Sequence, residues 1–170
     1  AEEEVLAFLK KRRRVLDGVC ITGGEPTLAP ELPSLIRSIK ELGYLVKLDT
    51  NGTHPAIARR LAEEKLIDYV AMDIKSSREH YDRLTGSSSE KLLSAVEETA
   101  AFLMNGSLDY EFRTTVVREL HEEEDFEKIR DWLAGCKRYY LQAYKDSEHI
   151  LKPDSYSSYS REELEHFAGI

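Results

Sequence analysis

Four short stretches of this 170-residue chain set polar side chains where they could meet a ligand. The first is Gly23-Gly24-Glu25-Pro26. Adjacent glycines reach positive φ and let a ligand approach the backbone closely. Glu25 offers a carboxylate that can accept from an ammonium group, and Pro26 stiffens the turn. Taken alone, the tetrapeptide also reads as a tight strand-to-helix turn with a solvated Glu. The second stretch, Asp49-Thr50-Asn51-Gly52, is either an Asn-Gly turn with Asp49 capping nearby backbone or a polar set at a strand end. The third is Asp73-Ile74-Lys75. Its two charges are two residues apart and project to one face of a strand. Such a pair is structural, or it serves a site, since buried charge is costly unless matched. The fourth is Arg113, a charge inside the apolar run Phe112–Val117. It either lies in solvent on an edge strand or points inward to grip a carboxylate or a nucleoside.

Other chemistries are excluded or read as structural. Neither G-x-G-x-x-G nor a Walker A loop occurs, and no H-E-x-x-H or other zinc spacing is present. His54, His80, His121, His149 and His166 are scattered and each reads as a surface histidine. Cys20 and Cys136 show no C-x-x-C spacing, and both read as core residues. Two cysteines are too few for a disulfide framework, which fits a reducing cytosol. Glu122-Glu123-Glu124-Asp125 reads as the acidic first turn of a helix rather than a metal site.

The elements that must position these residues alternate. Val5, Phe8 and Leu9 give a short helical stripe ending in the basic run Lys10–Arg14. A β-branched segment, Val15–Thr22, runs into Gly23. Leu32, Leu35, Ile36, Ile39 and Leu42 share one helical face, stopped by Gly43. Tyr44–Leu48 reads as a strand, and Pro55 opens a helix through Lys65. Ile67–Ile74 is a third strand; Leu92, Val96, Ala100 and Leu103 mark the next helix. Tyr110–Val117 is a fourth strand, followed by a helix through Phe126, Ile129 and Leu133. Tyr139–Ala143 is a fifth strand; a Ser/Tyr-rich tail begins at Lys152, and Arg161–Phe167 closes the chain as a short helix. Strand then helix, about five times over, predicts an α/β fold with a parallel sheet. Periodicity leaves open whether the sheet is a doubly wound open one or a (β/α) barrel. In both, ligands bind at the carboxyl ends of the strands, where the four polar stretches gather.

Composition narrows the class. Lys and Arg number 24 against 32 Asp and Glu, a formal net charge of −8, so the chain lacks the basic balance of a general nucleic-acid binder. No apolar run approaches the ~20 residues of a membrane span, and no secretory signal opens the sequence. At 41% hydrophobic the chain can bury a core. These features predict a cytoplasmic single domain over 1–170, with 152–170 as a C-terminal loop and short helix.

Three stretches in this order and spacing, Gly18–Leu28, Val46–Gly52 and Asp68–Lys75, resemble the radical S-adenosylmethionine (SAM) superfamily. The resemblance is to the activating enzymes of glycyl-radical enzymes, those of anaerobic ribonucleoside-triphosphate reductase and pyruvate formate-lyase. It is strong through about residue 76 and weak after Val117. It implies a partial (β/α)₆ TIM-like barrel of parallel strands with the first βα unit missing. It also implies that Gly23, Gly24 and Glu25 meet the amino group of SAM, with Pro26 among the cofactor-binding residues. Asp49, Asn51 and Lys75 would lie around its amino-acid or ribose part, with Lys75 paired to the carboxylate. Asp49 and Asp73 are implied as holders of a monovalent cation, and Arg113 as an inward Arg. The family's chemistry is reductive cleavage of SAM by a [4Fe–4S] cluster, giving a 5′-deoxyadenosyl radical that takes hydrogen from a glycine of the partner enzyme. A glycyl-radical enzyme as protein substrate and a flavodoxin or ferredoxin as electron donor are implied partners.

The family's cluster motif, C-x₃-C-x₂-C, is absent from this chain. The resemblance therefore implies a preceding βα unit of roughly 30–50 residues that carries the cluster and the catalytic residues, and no activity from this chain alone. Two other expectations compete. One is a sibling radical-SAM enzyme such as a 7-carboxy-7-deazaguanine synthase. The other is a non-catalytic binding or scaffold module of the same fold. An ordinary α/β phosphate-ligand enzyme is the weakest alternative, because no phosphate-cradling loop is present.

Overall fold

The computed structural model describes residues 2–86, 89–145 and 155–169. Twelve elements follow one another along those residues: α1 (Glu2–Arg12), β1 (Gly18–Ile21), α2 (Leu32–Glu41), β2 (Leu45–Thr50), α3 (Pro55–Glu63), β3 (Tyr69–Asp73), α4 (Tyr81–Thr85), α5 (Glu90–Asn105), β4 (Asp109–Val116), α6 (Glu123–Trp132), β5 (Tyr139–Ala143) and α7 (Arg161–Ala168). The strands are ordered β1-β2-β3-β4-β5, and β1–β2, β2–β3 and β4–β5 pair in parallel. A doubly wound sheet reverses its strand order at a switch point; this one does not, which is the order of a barrel wall. The first residues of the C-terminal tail, 152–154, and His149 lie outside the described residues.

Contacts divide the chain into two units. The first comprises Ala1–Met72 and Ala95–Tyr110. Its core forms because α2 and α3 present apolar residues at helical spacing. Leu32, Ile36 and Ile39 of α2 and Ala58 and Leu61 of α3 are buried, as are Val46 and Leu48 of β2. Burying a Leu or Ile side chain contributes roughly 1.5–3 kcal/mol. The helix ends are made by specific groups. Gly43, at φ +87, turns the chain out of α2, and Arg13 donates from Nε to Leu42 O (2.8 Å) and from Nη2 to Glu41 O (3.2 Å). Asp68 joins helix to sheet, accepting from Lys40 Nζ (2.8 and 2.7 Å) and from Val46 N–H (2.7 Å).

Strand β2 alternates: Val46, Leu48 and Thr50 are buried, while Leu45 is exposed and Lys47 and Asp49 half-buried. One face is thus packed under helices and the other carries polar side chains. By register, Cys20, Lys47 and Tyr69 share that second face, as do Asp49 and Ala71. This corrects two expectations. Cys20 is exposed rather than a core residue, and none of Gly18–Ile21 is buried. The apolar run at β1 had suggested cover on both faces; β1 stands at an edge of the sheet.

The second unit comprises Asp73–Ser94 and Glu111–Ile170. Strand β4 repeats the alternation: Phe112, Thr114 and Val116 are buried, whereas Glu111 and Arg113 are half-buried and Thr115 is exposed. Thr114 Oγ1 donates to Ile74 O (2.7 Å) and accepts from the Tyr139 hydroxyl (2.9 Å). Helix α6 opens with a capping box: Glu122 accepts from the Asp125 N–H, and the Asp125 carboxylate accepts from the Glu122 N–H (3.0 Å). The acidic run is indeed a first turn, but Asp125 is buried within it. Helix α7 has its own box between Ser160 and Glu163 and stacks Phe167 on Phe126, ring centroids 4.7 Å apart. The short helix α4 is an element that periodicity did not reveal.

Candidate functional site

In the first unit the polar chemistry surrounds the turn after β1. Gly23 and Gly24 stand at φ +98 and +53, where side-chain-bearing residues are strained. No heavy atom outside their own neighbours lies within 4 Å of where a Cβ on either would stand. The turn therefore offers bare, approachable backbone.

Glu25 follows, and its carboxylate is occupied by the protein itself. Oε1 accepts from Thr27 N–H (3.1 Å), Thr27 Oγ1 (2.5 Å) and Thr50 Oγ1 (2.8 Å), and Oε2 accepts from Asn51 N–H (2.6 Å). A carboxylate has about four acceptor sites. Glu25 thus ties the glycine turn to the carboxyl end of β2 and leaves capacity at Oε2. Pro26 is buried and opens a 3₁₀ turn, Pro26–Leu28, capped by Glu25. Asn51 folds its side chain back, with Oδ1 accepting from Thr53 N–H (3.0 Å) and Thr53 Oγ1 (2.7 Å). Gly52 is held at φ +77; a Cβ there would stand 2.2 Å from Met72 Cε. Asp49 lies on the polar face of β2 with Oδ1 3.8 Å from Lys47 Nζ.

In the second unit, Asp73, Lys75 and Arg113 form one cluster. Arg113 donates from Nε (3.2 Å) and Nη2 (3.0 Å) to Asp73 Oδ1, and Lys75 Nζ donates to Oδ2 (3.0 Å). Arg113 is a strand residue turned to the half-buried face, with 14% of its side chain exposed against 33% for Asp73 and 39% for Lys75. Two cations thus share one carboxylate.

Behind the cluster stands a group of buried polar residues that sequence reasoning missed. His121 was expected at the surface and is 1% exposed. Ser76, Ser77 and Asp125 are buried with it. Asp125 Oδ1 accepts from Ser77 Oγ (2.5 Å), from His80 Nδ1 (2.8 Å) and more distantly from Ser76 Oγ (3.4 Å). Burial pushes the Asp125 carboxyl pKa up. The hydrogen bonds from Ser77, Glu122 N–H and His80 outweigh this and hold it below the ordinary Asp value. The only sequence signal for this group was the spacing of Glu122 and Asp125. His54 and His80 are half-buried, and His166 is exposed beside Glu123 (2.9 Å). Cys136 is half-buried, and burial pushes its thiol pKa up.

The chain matches the profile of the Radical SAM superfamily over residues 1–133. It belongs to that superfamily. A Methanocaldococcus jannaschii protein provisionally named a glycyl-radical enzyme activating enzyme is 34% identical over 135 residues, covering 78% of this chain and 56% of the relative. The chain thus spans about half the length of that radical-SAM relative. A 7-carboxy-7-deazaguanine synthase from Neisseria meningitidis is 43% identical over 58 residues, 34% of this chain and 24% of that protein. Among solved structures, a domain of pyruvate-formate lyase-activating enzyme from Bacteroides vulgatus superposes with a TM-score of 0.67 at 19% identity, covering 89% of this chain and 91% of that one. That likeness supports the barrel-type wall expected for this fold.

Membership of the family implies SAM; the bare glycine backbone in the first unit and the Lys75 and Arg113 cations in the second are each groups of the kind its amino-acid part would need. An iron–sulfur cluster is different. The chain has two cysteines, one in each unit, and no group of three His, Cys, Asp or Glu among the described residues is placed to hold a metal. The residues present do not fit a cluster. No helix among the described residues is long and apolar enough to cross a membrane.

Proposed function

We propose that this chain is the SAM-binding part of an activating enzyme that installs a glycyl radical on a partner protein, with flavodoxin or ferredoxin as its reductant. The sequence relationship to the M. jannaschii protein, sustained over 135 residues, carries this reading. In it, the backbone at Gly23 and Gly24 and the remaining capacity of Glu25 receive the ammonium group of SAM. The Lys75 ammonium and the Arg113 guanidinium, held apart by Asp73, receive the carboxylate. Asp49 and Asn51 serve the ribose side. In each unit the contribution of these groups is orientation rather than bond-making.

The test uses the full-length protein, purified anaerobically with SAM, a chemical reductant and a candidate glycyl-radical enzyme. Formation of 5′-deoxyadenosine together with a glycyl-radical EPR signal on the partner is the expected result. Deoxyadenosine without a protein radical would move the assignment to a small-molecule substrate. The 43% identity to a 7-carboxy-7-deazaguanine synthase favours that second reading over the 58 residues it spans. Formation of 7-carboxy-7-deazaguanine would establish it.

A further inference from the structure

Lys75 lies beyond the last residue of β3, where ladder hydrogen bonds no longer fix the backbone. Its backbone is nevertheless held on both sides. Its N–H lies 3.4 Å from the Tyr81 hydroxyl oxygen, and its carbonyl lies 2.8 Å from His121 Nε2. Tyr81 is buried, which pushes its pKa up to about 12 and keeps the hydroxyl protonated. The carbonyl can only accept, so Nε2 carries the proton of His121. In the neutral ring, Nδ1 then accepts from Val117 N–H (3.1 Å). Both ring nitrogens are thus committed to backbone.

The ring is fixed in turn. It stacks on Phe126 (5.8 Å, 20°), which stacks on Phe167 of α7. The Tyr159 hydroxyl donates to the His121 carbonyl (2.7 Å). Four residues after His121, Asp125 accepts from Ser76, Ser77 and His80, all in the segment that follows Lys75.

We propose that His121, supported by Asp125, is a positioning residue for Lys75: its Nε2–H sets the Lys75 carbonyl and so aims the ammonium group that, with Arg113, receives a ligand carboxylate. The C-terminal segment acts through His121, so residues 155–168 tune ligand affinity without touching the ligand. This rests on the SAM reading only for the identity of the ligand.

The experiment compares wild type with His121→Phe, His121→Gln, Lys75→Ala and the double variant Lys75→Ala/His121→Phe, in the full-length, cluster-loaded protein. Phe keeps the stacked ring and loses both hydrogen bonds; Gln restores a donor. Two quantities are read: amide hydrogen exchange across residues 74–77, and the SAM dissociation constant by calorimetry. Loss of one net hydrogen bond predicts roughly fivefold to tenfold faster exchange confined to that loop in His121→Phe, and SAM affinity weakened by roughly the same factor. Gln recovers most of both, and in the Lys75→Ala background His121→Phe adds nothing to the loss of SAM affinity. Exchange that rises evenly over the sheet with SAM affinity intact overturns the proposal, as does an additive double variant. If His121→Phe does not fold, Tyr159→Phe replaces it, with a smaller shift of both quantities in the same direction expected and no shift of either overturning the proposal. If Lys75→Ala leaves SAM affinity unchanged, the SAM assignment fails; the exchange of residues 74–77 then decides the positioning role alone.

Discussion

Glu25, beyond the glycine turn that follows β1, and Asp73, the last residue of β3, are both half-buried carboxylates, yet they are held in opposite ways. Glu25 is satisfied by neutral donors, two threonine hydroxyls and two backbone N–H groups. Asp73 is satisfied by two cations. Neutral donors leave a carboxylate its charge and make it a tie between segments. Two adjacent cations offset that charge directly. In the function proposed for this chain, the first arrangement holds the glycine turn and the second would meet a ligand carboxylate.

The comparison can be broken at five points. The largest effect is expected at Gly52→Ala. Positive φ and a 2.2 Å approach to Met72 together cost roughly 3 kcal/mol, read as a lower urea midpoint with an unchanged slope. Next is Glu25→Gln, which sets an amide N–H₂ against either the threonine donors or the Asn51 N–H. It destabilises by about 2 kcal/mol. Asp73→Asn, in a more exposed ion cluster, costs under about 1 kcal/mol. If the two carboxylate variants prove equally destabilising, the distinction between tie and recognition cluster falls.

Lys75→Ala reverses the ranking. It leaves the urea midpoint nearly unchanged and weakens SAM binding by roughly tenfold, measured by calorimetry on the full-length protein.

The smallest effect is on the pH profile. The Asp125 pKa is depressed in the folded state, so its stabilisation is complete above the unfolded Asp value of about 3.9. It is lost as pH falls through the folded pKa below that. Wild type should lose more stability than Asp125→Asn between pH 5 and the acid limit, at about pH 2. Parallel pH curves would remove Asp125 from the acid response.

Much of the site was legible because turn chemistry is local. The Gly-Gly pair, the Asn-Gly turn and a charge pair two residues apart announce themselves within four residues each. The helix stop at Gly43 and the strand Tyr139–Ala143 were readable for the same reason. Arg113 was legible as an anomaly, a charge inside an apolar run, though not as a partner of Asp73, 40 residues away.

What the sequence determined by itself was the α/β class, the parallel strands and the edge of the sheet at which polar chemistry collects. Alternating apolar patterns and short turn motifs suffice for these, since they depend on neighbours a few residues apart. Tertiary structure alone decided which face of each strand is covered. That choice left Cys20 exposed where an apolar run had suggested cover. It also decided that His121 and Asp125 are buried around the Lys75 loop. A histidine or aspartate has no periodic signature; its burial depends on partners some 45 residues distant, which only the packed chain brings within hydrogen-bond reach.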